Sequence, residues 1–220
     1  MSVRHIRHGR IELALHELRE GTGRALLLLH GLGERSPDSV PAELDAWAGP
    51  IHALDFTGHG ESSVPRAGGY TCEMLMADAD TALREVGEAT LLGRGLGAYV
   101  ALLLAGARAA QVHGAILCDG IGLAGGGSRP GSPQVVHVPD TGPVTPDPFA
   151  IAELTRDARP PDYATAYVHQ ALEFSTVECP VSVCCVEKPE WLEAVATEPG
   201  VRETSLAAAL EMYAVPRAPA

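Results

Sequence analysis

The position that bears most on chemistry in this sequence is one that has no side chain. Leu91-Leu92-Gly93-Arg94-Gly95-Leu96-Gly97-Ala98-Tyr99 reads as a short apolar strand, a glycine-packed turn and an apolar helix. A strand–turn–helix of the form G-x-S-x-G presents a serine hydroxyl as a nucleophile at the top of a sheet. Here the middle position is Gly95. The turn is expected to keep its shape and to lack the attacking oxygen. Glycine suits such a turn, because it adopts the strained backbone conformation without steric cost.

The remaining reactive residue types are scattered. Arg94 precedes the glycine at a helix start, where a guanidinium and helix N-terminal N–H groups can together hold a carboxylate or phosphate. The competing reading pairs Arg94 with Asp119 or Glu61. Asp119 ends an apolar run and reads either as a turn-capping aspartate or as an alternative acid. Cys118 beside it is a candidate thiol nucleophile, although burial leaves thiols inert. His30 and His59 lie in turns and read as structural hydrogen-bonding groups. His113 begins a strand and is expected at the surface. His137 and His169 fall in a later segment from which a side chain can look into a pocket. Ser128, in Gly126-Gly127-Ser128-Arg129-Pro130, has no strand before it and reads as loop. Gly93 to Ala98 also fits G-x-G-x-x-A, and Asp119 ends the next strand, as in dinucleotide-binding units. The turns around His30 and Asp55 have no place in that fold, so no cofactor is expected. Cys179 and Cys184 lack zinc-ligand spacing, so no metal is expected either.

The elements around these residues follow from hydrophobic patterning. Arg10 to Leu18 alternates polar and apolar, as a half-buried strand does, and Val3 to Arg7 can pair with it as a hairpin. Ala25 to Leu29 is continuously apolar, as expected of a strand covered on both faces. A helix is expected from Pro41 to Trp47 and a strand from Ile51 to Phe56. Leu75, Ala79, Ala82, Leu83 and Val86 share one face of a helix from Met74 to Val86, which leaves Asp78 and Asp80 on its solvated side. Strand Ala89 to Gly93, helix Leu96 to Ala109 and strand Val112 to Cys118 follow. This alternation implies a parallel sheet with helices on its faces. Between Gly120 and Pro148 glycine and proline dominate, with one short strand expected at Gln134 to Val138. Helices near Phe149 to Asp157 and Asp162 to Phe174 come next. Strand Val181 to Val186, helix Pro189 to Ala196, strand Val201 to Thr204 and helix Leu206 to Tyr213 complete the pattern.

Composition excludes several function classes. The chain has 220 residues, a net charge of −12 and 46% hydrophobic residues, which suits one domain with a sizeable core. No basic patch is visible, which argues against nucleic acid and against anionic membrane surfaces as partners. The most apolar helix, Ala98 to Ala107, is too short to span a bilayer. The first residues lack an apolar leader region. Five cysteines, an odd number, are expected as free buried thiols in a reducing cytoplasm.

Three stretches together resemble the alpha/beta-hydrolase superfamily. Leu26-Leu27-Leu28-Leu29-His30-Gly31-Leu32-Gly33 resembles the strand and H-G turn that supplies part of an oxyanion hole. Asp55-Phe56-Thr57-Gly58-His59-Gly60-Glu61-Ser62 resembles the family's D-x-x-G-x-G-x-S turn, and Gly93 to Gly97 resembles its elbow. The match runs from Gly9 to Asp119. It implies an α/β fold with a mostly parallel twisted sheet of about seven or eight strands, helices on both faces and a small cap after the sixth strand. Residues 1–220 then form a single domain, with 120–178 as an irregular and helical cap insertion. The resemblance implies oxyanion donors near Leu32 or Gly33 and at Leu96, an acid after the penultimate strand and a histidine after the last one. Glu187 or Glu190 stands near the acid's place. No histidine follows Val201, and the last one in the chain is His169. A serine-type triad on this fold would therefore lack its nucleophile and its base. Serine proteases stripped of triad groups retain only about 10³–10⁴-fold enhancement over water. The expected function is a non-catalytic module that binds a small molecule or a protein partner around Leu32, Gly33, Arg94, Gly95 and Leu96. The alternative is an enzyme of hydrolase, lyase or cofactor-free oxygenase type that uses Asp119, a cap histidine or Arg94.

Overall fold

A computed structural model describes residues 2–66, 68–131 and 142–214. Strands β1 (Ser2–His8) and β2 (Ile11–Arg19) form an antiparallel hairpin at one edge of the sheet. β2 runs antiparallel to β4 (Ile51–Leu54), and β3 (Ala25–Leu29) lies parallel between β4 and β5 (Ala89–Arg94). β6 (Val112–Cys118), β7 (Val181–Cys184) and β8 (Val201–Glu203) extend the parallel part. The order is β1-β2-β4-β3-β5-β6-β7-β8, eight strands in one sheet.

Alternation along the central strands sends successive side chains to opposite faces. Leu27, Leu29 and Leu91 face one core, built with α1 (Cys72–Val86), α2 (Leu96–Ala107) and α5 (Glu190–Ala196). Leu26, Leu28, Leu92 and Ile116 face a second core closed by α6 (Leu206–Ala214) and a 3₁₀ turn at Ala42–Leu44. Helix α2 is buried almost all round, from Leu96 to Gly106. In the segment after β6, α3 (Pro148–Leu154) and α4 (Pro161–Phe174) form. α4 packs against α2 and α5, and it crosses α2 at Gly106, where an added Cβ would lie 2.6 Å from the Tyr167 carbonyl oxygen.

Four expectations are corrected. The helix at Pro41 to Trp47 is only the three-residue 3₁₀ turn; Pro41, with no N–H and an extended ψ, sits outside it. Asp78 and Asp80 are not solvated but 0% and 7% exposed. Asp78 accepts from the Thr57 N–H and pairs with His8 at 2.7 Å, while Asp80 is held by Arg84 and Arg108. His113 is half-buried rather than exposed and reaches Glu88 at 2.7 Å. Of the five free cysteines only Cys72 is buried; Cys118, Cys179, Cys184 and Cys185 are half-buried. The strand expected at Gln134 to Val138, and His137 within it, lie outside the described residues.

Candidate functional site

At the end of β5 the chain turns through Gly95, at φ +56° and ψ −117°. A side chain adopts this conformation only at a cost of about 1–3 kcal/mol. The flanking glycines let the turn close on its neighbours. A Cβ on Gly93 would lie 2.6 Å from Ala98 Cα, and one on Gly97 would lie 2.7 Å from the His30 carbonyl oxygen at the end of β3. The elbow is thus formed, with its apex facing the C-terminal edge of the sheet.

The loop that leaves β6 folds back over this apex. Gly95 N–H donates to the Cys118 carbonyl at 3.0 Å. Gly120 packs backbone against backbone, since a Cβ there would lie 2.7 Å from the Gly95 nitrogen. The next carbonyl, that of Ile121, accepts from the Leu32 N–H at 2.9 Å and from the Leu96 N–H at 3.0 Å. Leu32 follows β3 and Leu96 begins α2, so the two donors converge from different elements on one point. Both lone pairs of the Ile121 oxygen are engaged there. A Cβ on Gly95 would collide with that oxygen and lie 2.7 Å from the Ile121 nitrogen.

The plug is anchored along its length. Asp119 Oδ2 accepts from the Val186 N–H at 2.8 Å. The Leu123 carbonyl accepts from Trp191 Nε1 at 2.9 Å and from Arg159 Nη1. The Ile121 side chain itself is 60% exposed; only its backbone is committed to the elbow.

On the other side of β5 the sheet opens into a cavity of about 360 Å³. Leu28, Leu92, Leu44 and Leu206 supply apolar walls, and Arg94, Arg35, Glu34, Glu43 and Cys118 also line it. Arg94 is exposed. Among the described residues it makes no ion pair with Asp119 or Glu61, and it lines the cavity.

With this geometry in hand, a family model described as the alpha/beta hydrolase family matches residues 26–220. The chain belongs to the alpha/beta hydrolase family. Solved members of the same fold include a hypothetical protein from Pseudomonas aeruginosa PAO1, 19% identical, TM-score 0.65, with 97% of each chain covered. A thioesterase domain from the curacin biosynthetic pathway superposes with TM-score 0.62 at 19% identity, over 98% of this chain and 99% of its own. An N-formylmaleamic acid deformylase from Pseudomonas putida S16 gives 0.58 at 15% identity, over 93% and 92%. No curated protein matches the chain by sequence.

Within this family fold, the two diagnostic turns serve the scaffold. Asp55 accepts from the Ser36 N–H at 2.7 Å, the Glu61 N–H at 2.8 Å and His16 Nε2 at 3.0 Å. Burial pushes its carboxyl up, but these hydrogen bonds outweigh burial and hold it well below the usual carboxylate range. The Asp55 hydrogen bond raises His16 in turn. His30 accepts the Phe56 N–H at 3.1 Å and is buried; desolvation pushes it down to about 4. His59 Nδ1 donates to the Thr57 carbonyl at 3.1 Å. The reading of His30 and His59 as structural groups therefore holds.

The other candidate residues are not brought together. Asp119 serves as a turn cap for Val186. Glu187 and Glu190 are exposed. His169, on α4, points outward and meets Glu198 at 2.8 Å. Gly33 does not share the Ile121 oxygen; it turns at φ +74° beside Ile151. Among the described residues no helix is long and apolar enough to cross a membrane, and no group of three or more His, Cys, Asp or Glu is arranged to hold a metal. Sequence reasoning missed the plug. Its one trace was Gly120-Ile121-Gly122, glycines on both sides of a residue whose backbone must approach another backbone.

Proposed function

We propose that this family member is a binding protein without acyl-transfer activity, its triad degenerate at the nucleophile and the base. The observation that carries this reading is the Ile121 carbonyl oxygen bonded to both Leu32 and Leu96 N–H groups. Acyl transfer needs those donors free for a developing oxyanion and a nucleophile beside them. Here an electron-rich oxygen of the chain itself takes the donors, and Gly95 offers no attacking atom. Asp119 and His169, two of the groups an unusual mechanism would recruit, are bonded to Val186 and Glu198.

The ligand is a small molecule with an apolar body and an acidic head, seated in the cavity beneath Arg94. Apolar walls would take the body and the guanidinium the head. A protein partner in place of a small molecule would use the same open edge. All five cysteines are free, which suits work in a reducing compartment such as the cytoplasm.

The test has two arms. A fluorophosphonate probe and a panel of p-nitrophenyl esters should give no label and no turnover above buffer; stoichiometric labelling overturns the reading. Hexanoate, octanoate and benzoate should raise the melting temperature where the matching alcohols do not, and R94Q should weaken carboxylate binding by about tenfold, the loss of one charge-assisted contact.

A further inference from the structure

Strands β5, β6 and β7 carry Arg94, Cys118 and Cys184 at one register: Arg94 pairs with Cys118, and Cys118 with Cys184. In-register residues of parallel neighbours point to the same face. Cys118 and Cys184 both pack against the core that α6 closes, and Arg94 and Cys118 line the same cavity. Three side chains thus stand in a row across the sheet: a guanidinium, a thiol and a second thiol. Both residues are half-buried, and Cys118 lines the cavity. Cys185, one residue on, faces the opposite core, and its thiol donates to the Leu117 carbonyl at 3.3 Å.

We propose that Cys118 and Cys184 form a dithiol site that hydroperoxides oxidise to a disulfide, with Arg94 supporting negative charge on Cys118. Adjacent strands lie roughly 4.8 Å apart, inside the ~4.4–6.8 Å Cα separation that disulfides span. The bridge therefore requires no movement of the sheet beyond side-chain rotation. The two residues are register neighbours; the proximity of Cys118 favours thiolate on Cys184, against the opposing effect of burial, and Cys118 is raised by its neighbour Cys184 and by burial. Burial instead pushes Cys185 up to about 12.

The chemistry balances. The Cys184 thiol gives its proton to water and the thiolate attacks the peroxide; the O–O bond breaks, an S–O bond forms, and the alkoxide leaves and takes a proton back from water as the alcohol, giving a sulfenic acid. Cys118 then attacks that sulfur. The S–O bond breaks, and the departing oxygen leaves as water with the Cys118 proton. Overall, two thiols and one hydroperoxide give one disulfide, one alcohol and one water. A dithiol reductant returns the pair to its starting state. Arg94, next to Cys118, acts on the second step, where charge builds on the resolving sulfur.

The proposal does not rest on the lack of acyl transfer. Its test is treatment of the full chain with one equivalent of tert-butyl hydroperoxide. The expected product loses two hydrogens by intact mass and is restored by dithiothreitol. A non-reducing peptide map should join the Cys118 and Cys184 peptides. C118S should trap a dimedone-reactive sulfenic acid on Cys184, C185S should still form the bridge, and R94Q should slow bridge formation by about threefold to tenfold while leaving the dimedone-trapping rate of C118S unchanged. Oxidation scattered over the cysteines without a cross-link overturns the proposal, as does a bridge that uses Cys179 or Cys185. The cross-link is mapped on the unmodified protein, so the proposal stands or falls there even where a variant fails to fold.

Discussion

Placing a hydroxymethyl group on Gly95 would force it against the Ile121 carbonyl oxygen, at a backbone angle that side chains avoid. G95S should therefore destabilise the fold by about 2–4 kcal/mol, strain and overpacking together, as read by urea denaturation. It should yield no esterase turnover, because both amide donors remain occupied. That Gly95 replaces a nucleophile is legible in the sequence, since one letter differs from the elbow pattern. What fills the hole is not legible. A carbonyl oxygen belongs to every residue, so nothing about Ile121 distinguishes it until the loop is seen to fold. The same limit applies to Asp78: helix periodicity sorts apolar side chains and says nothing of a buried carboxylate that has two donors waiting for it.

At the scale of elements, residues 119–123 after β6 are held through Asp119, Ile121 and Leu123, which are tied to different parts of the fold. Amide exchange reads this directly. The Leu32 and Leu96 N–H groups should be protected, because the Ile121 oxygen covers both. D119A removes one tie, worth about 1 kcal/mol, which corresponds to roughly fivefold faster exchange at Leu32 and Leu96. Equal protection in D119A and the parent would show that the loop holds without that anchor. Strand existence was legible throughout the sheet, because continuous apolar runs such as Ala25–Leu29 survive any tertiary context. The 3₁₀ turn at Ala42–Leu44 was not. Leu44 and Trp47 are both buried, and an apolar pair three apart satisfies one tight turn as well as a helix.

For the whole molecule, buried histidines set the response to acid. Burial lowers His30, His52 and His59, while the Asp55 contact raises His16. A histidine lowered by folding binds fewer protons in the native state, so its contribution is present above about pH 6.5 and is lost as pH falls toward its folded value. His16 works in the opposite sense: its contribution is full below about pH 6.5 and fades as pH rises through its raised value. Asp55 contributes above about pH 3.9 and fails only as pH drops through its lowered value. Asp78, raised by burial, also works in the sense of His16, so three lowered histidines stand against two raised groups, and the large lowering of His30 makes the net slope destabilising on acidification. The melting temperature should fall between pH 7 and pH 4.5, with His30 alone supplying on the order of 3 kcal/mol. A flat profile over that range would contradict the burial of these rings.

The loop across the elbow also shapes what this lineage can become. Three changes, a new side chain at Gly95, a histidine after β8 and a rerouted main chain after Cys118, are needed before any brings a gain in turnover. No step is rewarded alone, and the first is penalised. Selection acting one substitution at a time meets a ratchet here, and a laboratory that wants an esterase from this scaffold must begin with a deletion rather than a point mutation.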